Sequence, residues 1–338
     1  MRLAISAAIG AACLWALFHW SDLRPADLWN SWKHLSWSAA LAALGVHLAI
    51  YVVRSQRFRV LLPAAQRPAH AAMLAISAAH NLAAYVLPAK TGELTLVMYL
   101  RAHAAVPSSS GLAALLVSRL LDLATLCLCL ALATLHLLLT RPQMPRWLFA
   151  LAPVLLCVAA LLMLLSARSD VLVRSGSWIA RLLGAGRWQL GQKLLVRAEE
   201  LSGALRLAPA GRALWIAAAQ SLAMWLGIFV FYAILARGMG MSADLGLSEY
   251  AFGSSLAVLT NLLPINAFAG FGTQEGGWVM GFVLIGVPRD LALSTGLGVH
   301  LAQLASTVVL GILGHFLMGW LPSTRSLPAS DADRSDVG

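Results

Sequence analysis

Apolar runs long enough to cross a bilayer follow one another along this chain. The hydrocarbon core of a membrane is about 30 Å thick, and a helix crosses it in about 20 residues. Runs at 3–20, 38–53, 111–139, 147–165, 213–236 and 291–321 reach or approach that length. Only 11% of the 338 residues are charged and 60% are hydrophobic, about half the charge density of a soluble domain. The mean hydropathy is +0.78. In hydrocarbon every backbone polar group must be satisfied within the protein, which helices achieve unaided. The expected class is an all-α polytopic membrane protein with about six transmembrane helices.

Two further apolar stretches, 73–100 and 250–287, are interrupted. The first contains NLAAYVLPAKTGE at 81–93, the second NLLPINAFAGFGTQE at 261–275. Each opens on an asparagine (Asn81, Asn261), carries a Leu-Pro (Pro88, Pro264) and closes with glycine and a glutamate (Gly92 and Glu93, Gly272 and Glu275). A bilayer tolerates such breaks only where protein or a water-filled cavity covers them. Both stretches are expected to be re-entrant hairpins. Matching interruptions in two halves of a chain point to a transporter's binding site.

The basic residues supply a topology. If each hairpin enters and leaves on one side, 17 of the 24 lysines and arginines fall on the cytoplasmic side and six outside, with Arg119 left in the membrane. The cytoplasmic set includes Arg54, Arg57, Arg59 and Arg67, taken as a cluster following a span that ends at Val53. The bias predicts both termini inside. The first half, 1–145, and the second, 146–321, then each hold two spans, a hairpin and a span, an inverted-topology repeat. Residues 166–212 carry eight basic residues interleaved with Trp178, Leu182, Leu183 and Trp188, the pattern of amphipathic helices at a membrane surface. The tail 322–338 is expected to be disordered.

Several classes are disfavoured. The net charge of +10 would suggest nucleic acid in a soluble protein, but there is no soluble domain to hold a recognition fold. The four cysteines lie inside apolar runs and form no disulfide or zinc pattern. The first run has Arg2 before it but no clear small-residue cleavage motif, so it is taken as a retained span. No cofactor or metal is expected.

The candidate chemistry lies in few residues. Lys90 could face an anionic headgroup, or pair with Glu93, or sit in an ordinary surface loop. Arg119 and Asp122 are three apart and share a helix face. They could neutralise one another as a buried pair, or Arg119 could also meet a lipid phosphate. Gly270, Gly272 and Thr273, before Glu275, could present backbone amides to an anion ahead of a helix expected to start near Trp278; close helix packing is the alternative. His47, His80, His136, His300 and His315 are scattered among apolar residues, where packing is the commoner role. His80, beside Asn81, opens the first broken segment.

The stretch LPAKTGELTLVMYLRA, a short serine-containing linker, then SRLLDLATL and later LPINAFAGFGTQEG together resemble the transmembrane region of lysylphosphatidylglycerol synthases. The motifs Pro-x-x-x-Gly-Glu, Arg-x-x-Asp and Gly-x-Gly-x-x-Glu carry the resemblance in order over most of the chain. Lys90 departs from it, since the resemblance implies arginine there, and lysine loses bidentate phosphate recognition. The resemblance implies a flippase-like carrier in a bacterial inner membrane, moving an anionic phospholipid or isoprenoid-type lipid between leaflets without enzymatic change. The soluble synthase domain of the full-length enzymes has no counterpart here, so lysyl transfer is not implied. An intramembrane glycosyl- or phospho-transferase, or an accessory subunit working with lipid-biosynthesis enzymes, are the alternatives.

Overall fold

The computed structural model describes residues 32–141, 144–182, 184, 188–207, 211–262 and 270–321. The first apolar run, Pro264 and the tail lie outside the described residues, as do the side chains of Pro88, Lys90 and Asn261. Among the described residues there are eleven α-helices and no strand: α1 (Trp37–Leu61), α2 (His70–Val86), α3 (Thr95–Ala104), α4 (Ser108–Thr140), α5 (Leu148–Ala167), α6 (Ser169–Leu182), α7 (Gln189–Leu207), α8 (Arg212–Gly238), α9 (Leu247–Leu262), α10 (Thr273–Leu284) and α11 (Arg289–Trp320). Five of them, α1, α4, α5, α8 and α11, are long and apolar enough to cross a membrane. The chain is an all-α polytopic membrane protein.

The helix ends follow local chemistry. Ser36 caps α1 by accepting the Ala39 amide at 3.2 Å, which satisfies one of the donors a helix start leaves open. The helices α4 and α11 each start directly after a proline, Pro107 and Pro288. Proline cannot continue a preceding helix, and its fixed φ suits a helix entry. The first broken segment is a 3₁₀ turn, Pro88–Leu94, between α2 and α3. It folds back so closely on α2 that a Cβ at Gly92 would lie 2.2 Å from the Ala83 carbonyl oxygen. Only glycine fits there.

Two sequence expectations are corrected. The α1 helix does not end at Val53 but runs to Leu61, so Arg54, Arg57 and Arg59 belong to it rather than to a loop. The residues Phe58, Leu61 and Leu62 are nearly inaccessible and draw the last two turns inward. The α10 helix begins at Thr273, not near Trp278, because Glu275 closes its first turn (below).

The helices α1 and α8 pack along one another at the centre. Around them the contacting pairs correspond when α1–α4 are exchanged with α8–α11: α1 on α2 and α8 on α9, α3 on α4 and α10 on α11, α2 on α11 and α9 on α4. The α4 helix is central, with 61% of its most apolar window buried, while α5 packs on its outside with 17%. The apolar core is divided in two. One part takes Ala43 and Ile50 of α1, Leu126 to Leu137 of α4, and Met224 to Ala236 of α8. The other takes Phe58 and Leu61 of α1, Ala113 to Leu121 of α4, and Leu214 and Ala217 of α8. On all three helices the gap between the two parts is filled by polar residues: Arg54 and Arg57, Asp122, and Ser221.

Candidate functional site: a buried layer of guanidinium and carboxylate groups

Arg57 is 1% exposed. A guanidinium is stable at such depth only when paired and hydrogen-bonded. Both of its terminal nitrogens bind Asp122, Nη2 donating to Oδ2 at 3.1 Å and Nη1 to Oδ1, and Nη1 also donates to Ser221 Oγ at 2.8 Å. This forked contact fits two parallel donors to two carboxylate oxygens. Asp122 Oδ2 accepts a further bond from Arg119 Nη1 at 3.1 Å. Arg119 then reaches the first broken segment, donating from Nε and Nη2 to Glu93 Oε2 at 3.0 and 2.5 Å. The result is a chain of alternating charges, Arg57, Asp122, Arg119, Glu93, from the interior to the half-exposed Arg119, whose side chain keeps 43% of its surface accessible, and its partner Glu93.

His80, 2% exposed, lies behind Glu93, with Nε2 at 4.0 Å from Oε2. Its Nδ1 is 3.1 Å from Thr95 Oγ1, whose own proton goes to the Gly92 carbonyl at 2.6 Å. Thr95 therefore accepts from Nδ1–H, and the neutral ring keeps a bare Nε2 toward Glu93. That nitrogen is where a second proton would go.

Arg54 lies on α1 three residues before Arg57, near enough to Asp122 and Arg119 to feel their charge. Its Nη1 donates to Asn81 Oδ1, and Asn81 Nδ2 donates to Tyr51 Oη at 2.6 Å. Its guanidinium stands 5.6 Å from the centre of the Tyr51 ring. Among the described residues no carboxylate comes within ion-pair distance of Arg54. The layer thus holds three guanidiniums and two carboxylates.

In the second half, Glu275 and His300 are both fully buried, with His300 Nδ1 at 2.5 Å from Glu275 Oε1. Glu275 Oε2 accepts the Gly272 amide at 2.6 Å. Gly272 has φ +83°, a left-handed conformation that disfavours any side chain. The Phe271 ring stacks 4.5 Å from the His300 ring, and the Tyr85 ring of α2 lies 6.4 Å from it. The α2 helix joins the two places: His80 and Asn81 face the arginine layer, and Tyr85 faces His300.

The expected residues therefore separate. Glu93, Arg119 and Asp122 are brought together. Glu275 forms its own site with Gly272. The amide of Gly272 serves Glu275, and Gly270 accepts from the Thr273 hydroxyl at 3.0 Å, so the glycine run closes a helix start. Gly92 makes the tight approach to α2, and Asn81 holds Arg54. Asp122 is paired mainly with Arg57 rather than with Arg119 alone. The sequence reading missed Arg54, Arg57 and Ser221, and took His300 as a packing residue. The available signal was the apolar Phe58, Val60, Leu61 and Leu62 beyond Arg57, which continue the helix past the arginines.

No curated protein and no solved structure matches the chain. Residues 3–311 match the family described as lysylphosphatidylglycerol synthase TM region. The match covers both broken segments, the arginine layer and the buried Glu275, and the chain belongs to this family.

Proposed function

We propose that this protein is a lipid translocase of a bacterial inner membrane that carries an anionic lipid between leaflets and leaves its covalent structure unchanged. Membership of a family linked to lipid handling supports the class. The observation that carries the reading is the excess of guanidinium over carboxylate in a polar layer between two apolar cores. A charged headgroup crossing hydrocarbon meets a large desolvation barrier. Arg54 and the accessible edge of Arg119 would offer a phosphate donors inside the bundle, Arg119 exchanging part of its contact with Glu93 for the incoming anion.

The corresponding helix contacts support an inverted repeat in which α2–α3 and α9–α10 are the two re-entrant hairpins. Each half places a glutamate beside a histidine, Glu93 with His80 and Glu275 with His300.

The test is reconstitution into proteoliposomes, a leaflet-accessibility assay for an anionic phospholipid, and mass spectrometry of the lipid afterwards. Accelerated transfer of unaltered lipid supports the proposal. A covalently changed lipid would move the assignment to an intramembrane transferase. No transfer over a broad lipid panel would make the protein an accessory subunit of lipid synthesis.

A further inference from the structure

Four helices close a ring beside the arginine layer: α1 packs on α8, α8 on α11, α11 on α2 and α2 on α1. Polar residues recur on α1, α2 and α11 at the three- and four-residue spacing that keeps side chains on one face. They are His47, Tyr51 and Arg54 on α1, Asn81 and Tyr85 on α2, and His300, Gln303 and Ser306 on α11. Contacts join them across the ring. Asn81 binds both Arg54 and Tyr51. The hydroxyl of Tyr232, on α8, donates to Gln303 Oε1 at 3.1 Å. His47 Nδ1 lies 2.8 Å from Ser306 Oγ, which joins α1 to α11 on the side away from Arg57. Tyr85 is near enough to Tyr51, Arg54, Tyr232 and Glu275 to feel all four. Three of these residues keep open donors. Among the described residues the Tyr85 hydroxyl, the Gln303 amide nitrogen, and Nε and Nη2 of Arg54 have no hydrogen-bond partner. All three residues are half-buried rather than sealed. Open donors within a helix bundle call for water or a ligand to meet them.

We propose that this ring selects a headgroup in which the phosphate carries a neutral polyol, a glycerol or a sugar, with Arg54 taking the phosphate and Tyr85 and Gln303 reading the hydroxyls. This substrate class rests on the translocase reading above. A guanidinium with two open donors suits a phosphate. A phenol hydroxyl both donates and accepts, and a carboxamide nitrogen donates, so the pair suits hydroxyl groups, which do both. An amine fits worse. The carboxylate that Arg54 feels is Asp122, and the one that Tyr85 feels is Glu275. Both oxygens of Asp122 are bound by Arg57 and Arg119. Glu275 is fully buried and meets Gly272 and His300 with its two oxygens. An ammonium beside Arg54 would find neither carboxylate open to it, and an unpaired charge at depth is costly. A site built to hydrogen-bond hydroxyls also rejects a ligand that lacks them, because its own polar groups are then left unpaired.

The experiment uses the full chain in nanodiscs of phosphatidylcholine doped with equal minor fractions of three lipids. Phosphatidylglycerol carries the polyol, phosphatidylpropanol is the same diester without its hydroxyls, and phosphatidylethanolamine carries an amine. Retained lipid is counted by native mass spectrometry, and leaflet transfer of each lipid is measured in proteoliposomes. Phosphatidylglycerol should be retained roughly fivefold or more over the other two, the scale of one or two hydrogen bonds. Tyr85→Phe removes one oxygen and should reduce that preference several-fold while leaving phosphatidylpropanol retention as it was. Tyr99→Phe removes a phenol oxygen outside the ring and should retain lipid as the parent does. If Tyr85→Phe does not fold, the contrast between phosphatidylglycerol and phosphatidylpropanol on the parent decides. A second arm titrates soluble glycerol 3-phosphate and propyl phosphate against Tm. A saturable rise with glycerol 3-phosphate alone, and no lipid retained or moved, would keep the polyol phosphate and overturn the translocase reading. Equal retention of phosphatidylglycerol and phosphatidylpropanol, a preference for phosphatidylethanolamine, or equal losses in the two tyrosine variants would overturn the polyol proposal. Accelerated transfer alongside any of those results would leave the translocase reading standing.

Discussion

Arg119 and His300 hold matching positions on two long helices. Each is the twelfth residue of the long helix that follows a broken segment, α4 from Ser108 and α11 from Arg289. Each binds the glutamate of that segment, Arg119 to Glu93 and His300 to Glu275. The partners differ in one respect. Arg119 gives its carboxylate two donors of one guanidinium, whereas His300 meets its carboxylate through a single ring nitrogen.

Losing Asp122 should be far worse than losing the whole buried pair. Asp122→Ala strands the Arg57 guanidinium at 1% exposure, at a cost of about 3–5 kcal/mol. Replacing both residues by apolar ones, Arg57→Met with Asp122→Leu, should recover most of that loss, and Arg119 still has Glu93. Thermal unfolding of the purified variants in one detergent checks the order. A double variant no more stable than Asp122→Ala would mean that the layer contributes more than charge pairing.

The two glutamates should matter for transfer more than for folding. In Glu93→Gln and Glu275→Gln the side chain keeps its shape and an acceptor oxygen. Folding should lose about 1–2 kcal/mol, while transfer slows by roughly an order of magnitude, the scale of one charge-assisted hydrogen bond. The proteoliposome assay and a Tm measured on the same preparations separate the two effects. Variants that transfer at the parent rate would remove both carboxylates from the mechanism.

Gly92→Ala should be destabilising and Gly45→Ala should not. A Cβ at Gly92 would lie 2.2 Å from Ala83 O and 2.6 Å from Ala84 Cα, both backbone atoms that cannot step aside. The 3₁₀ turn must then lift from α2, at about 1–3 kcal/mol, and carry Glu93 away from Arg119. At Gly45 nothing lies within 4 Å, and alanine should gain up to about 1 kcal/mol of helix propensity. Tm measured on both variants reads the contrast.

Acid should weaken the contact that joins α4, α9 and α10. Glu249, at the start of α9 and outside the five candidate spans, pairs with Arg141 at 3.0 Å. Arg141 also donates to the Ile285 carbonyl at 3.3 Å. Burial alone would push the Glu249 carboxyl up, but hydrogen bonds from Ser248 and the backbone, together with Arg141, outweigh it and hold it below the usual carboxylate range. A depressed carboxyl contributes stability that is present above its unfolded pKa and is lost as pH falls through its folded value. Stability should therefore decline below about pH 4.5, and Arg141→Gln should show a smaller share of that decline. Tm against pH for both proteins is the measurement.

Five of the spans, and the ends of the helices at the two breaks, were legible in the sequence because the quantities that mark them are local. Hydropathy adds up along a run, and Pro88 or Gly272 alters the backbone where it stands, whatever the rest of the chain does. Arg119 with Asp122 was legible for the same reason, since three residues on a helix are neighbours by construction. Arg54 and Arg57 were not. By charge alone they belong in a loop at the end of a span, and only Asp122 on α4 and Ser221 on α8 turn Arg57 into an interior residue. The same holds for Glu275, whose carboxylate is shared between an amide three residues before it and a histidine on the next long helix. Burying apolar surface asks only for enough of it in one segment, whereas burying a charge asks for a partner at the right distance. For this protein the partners come from different helices, and tertiary structure alone brings them together.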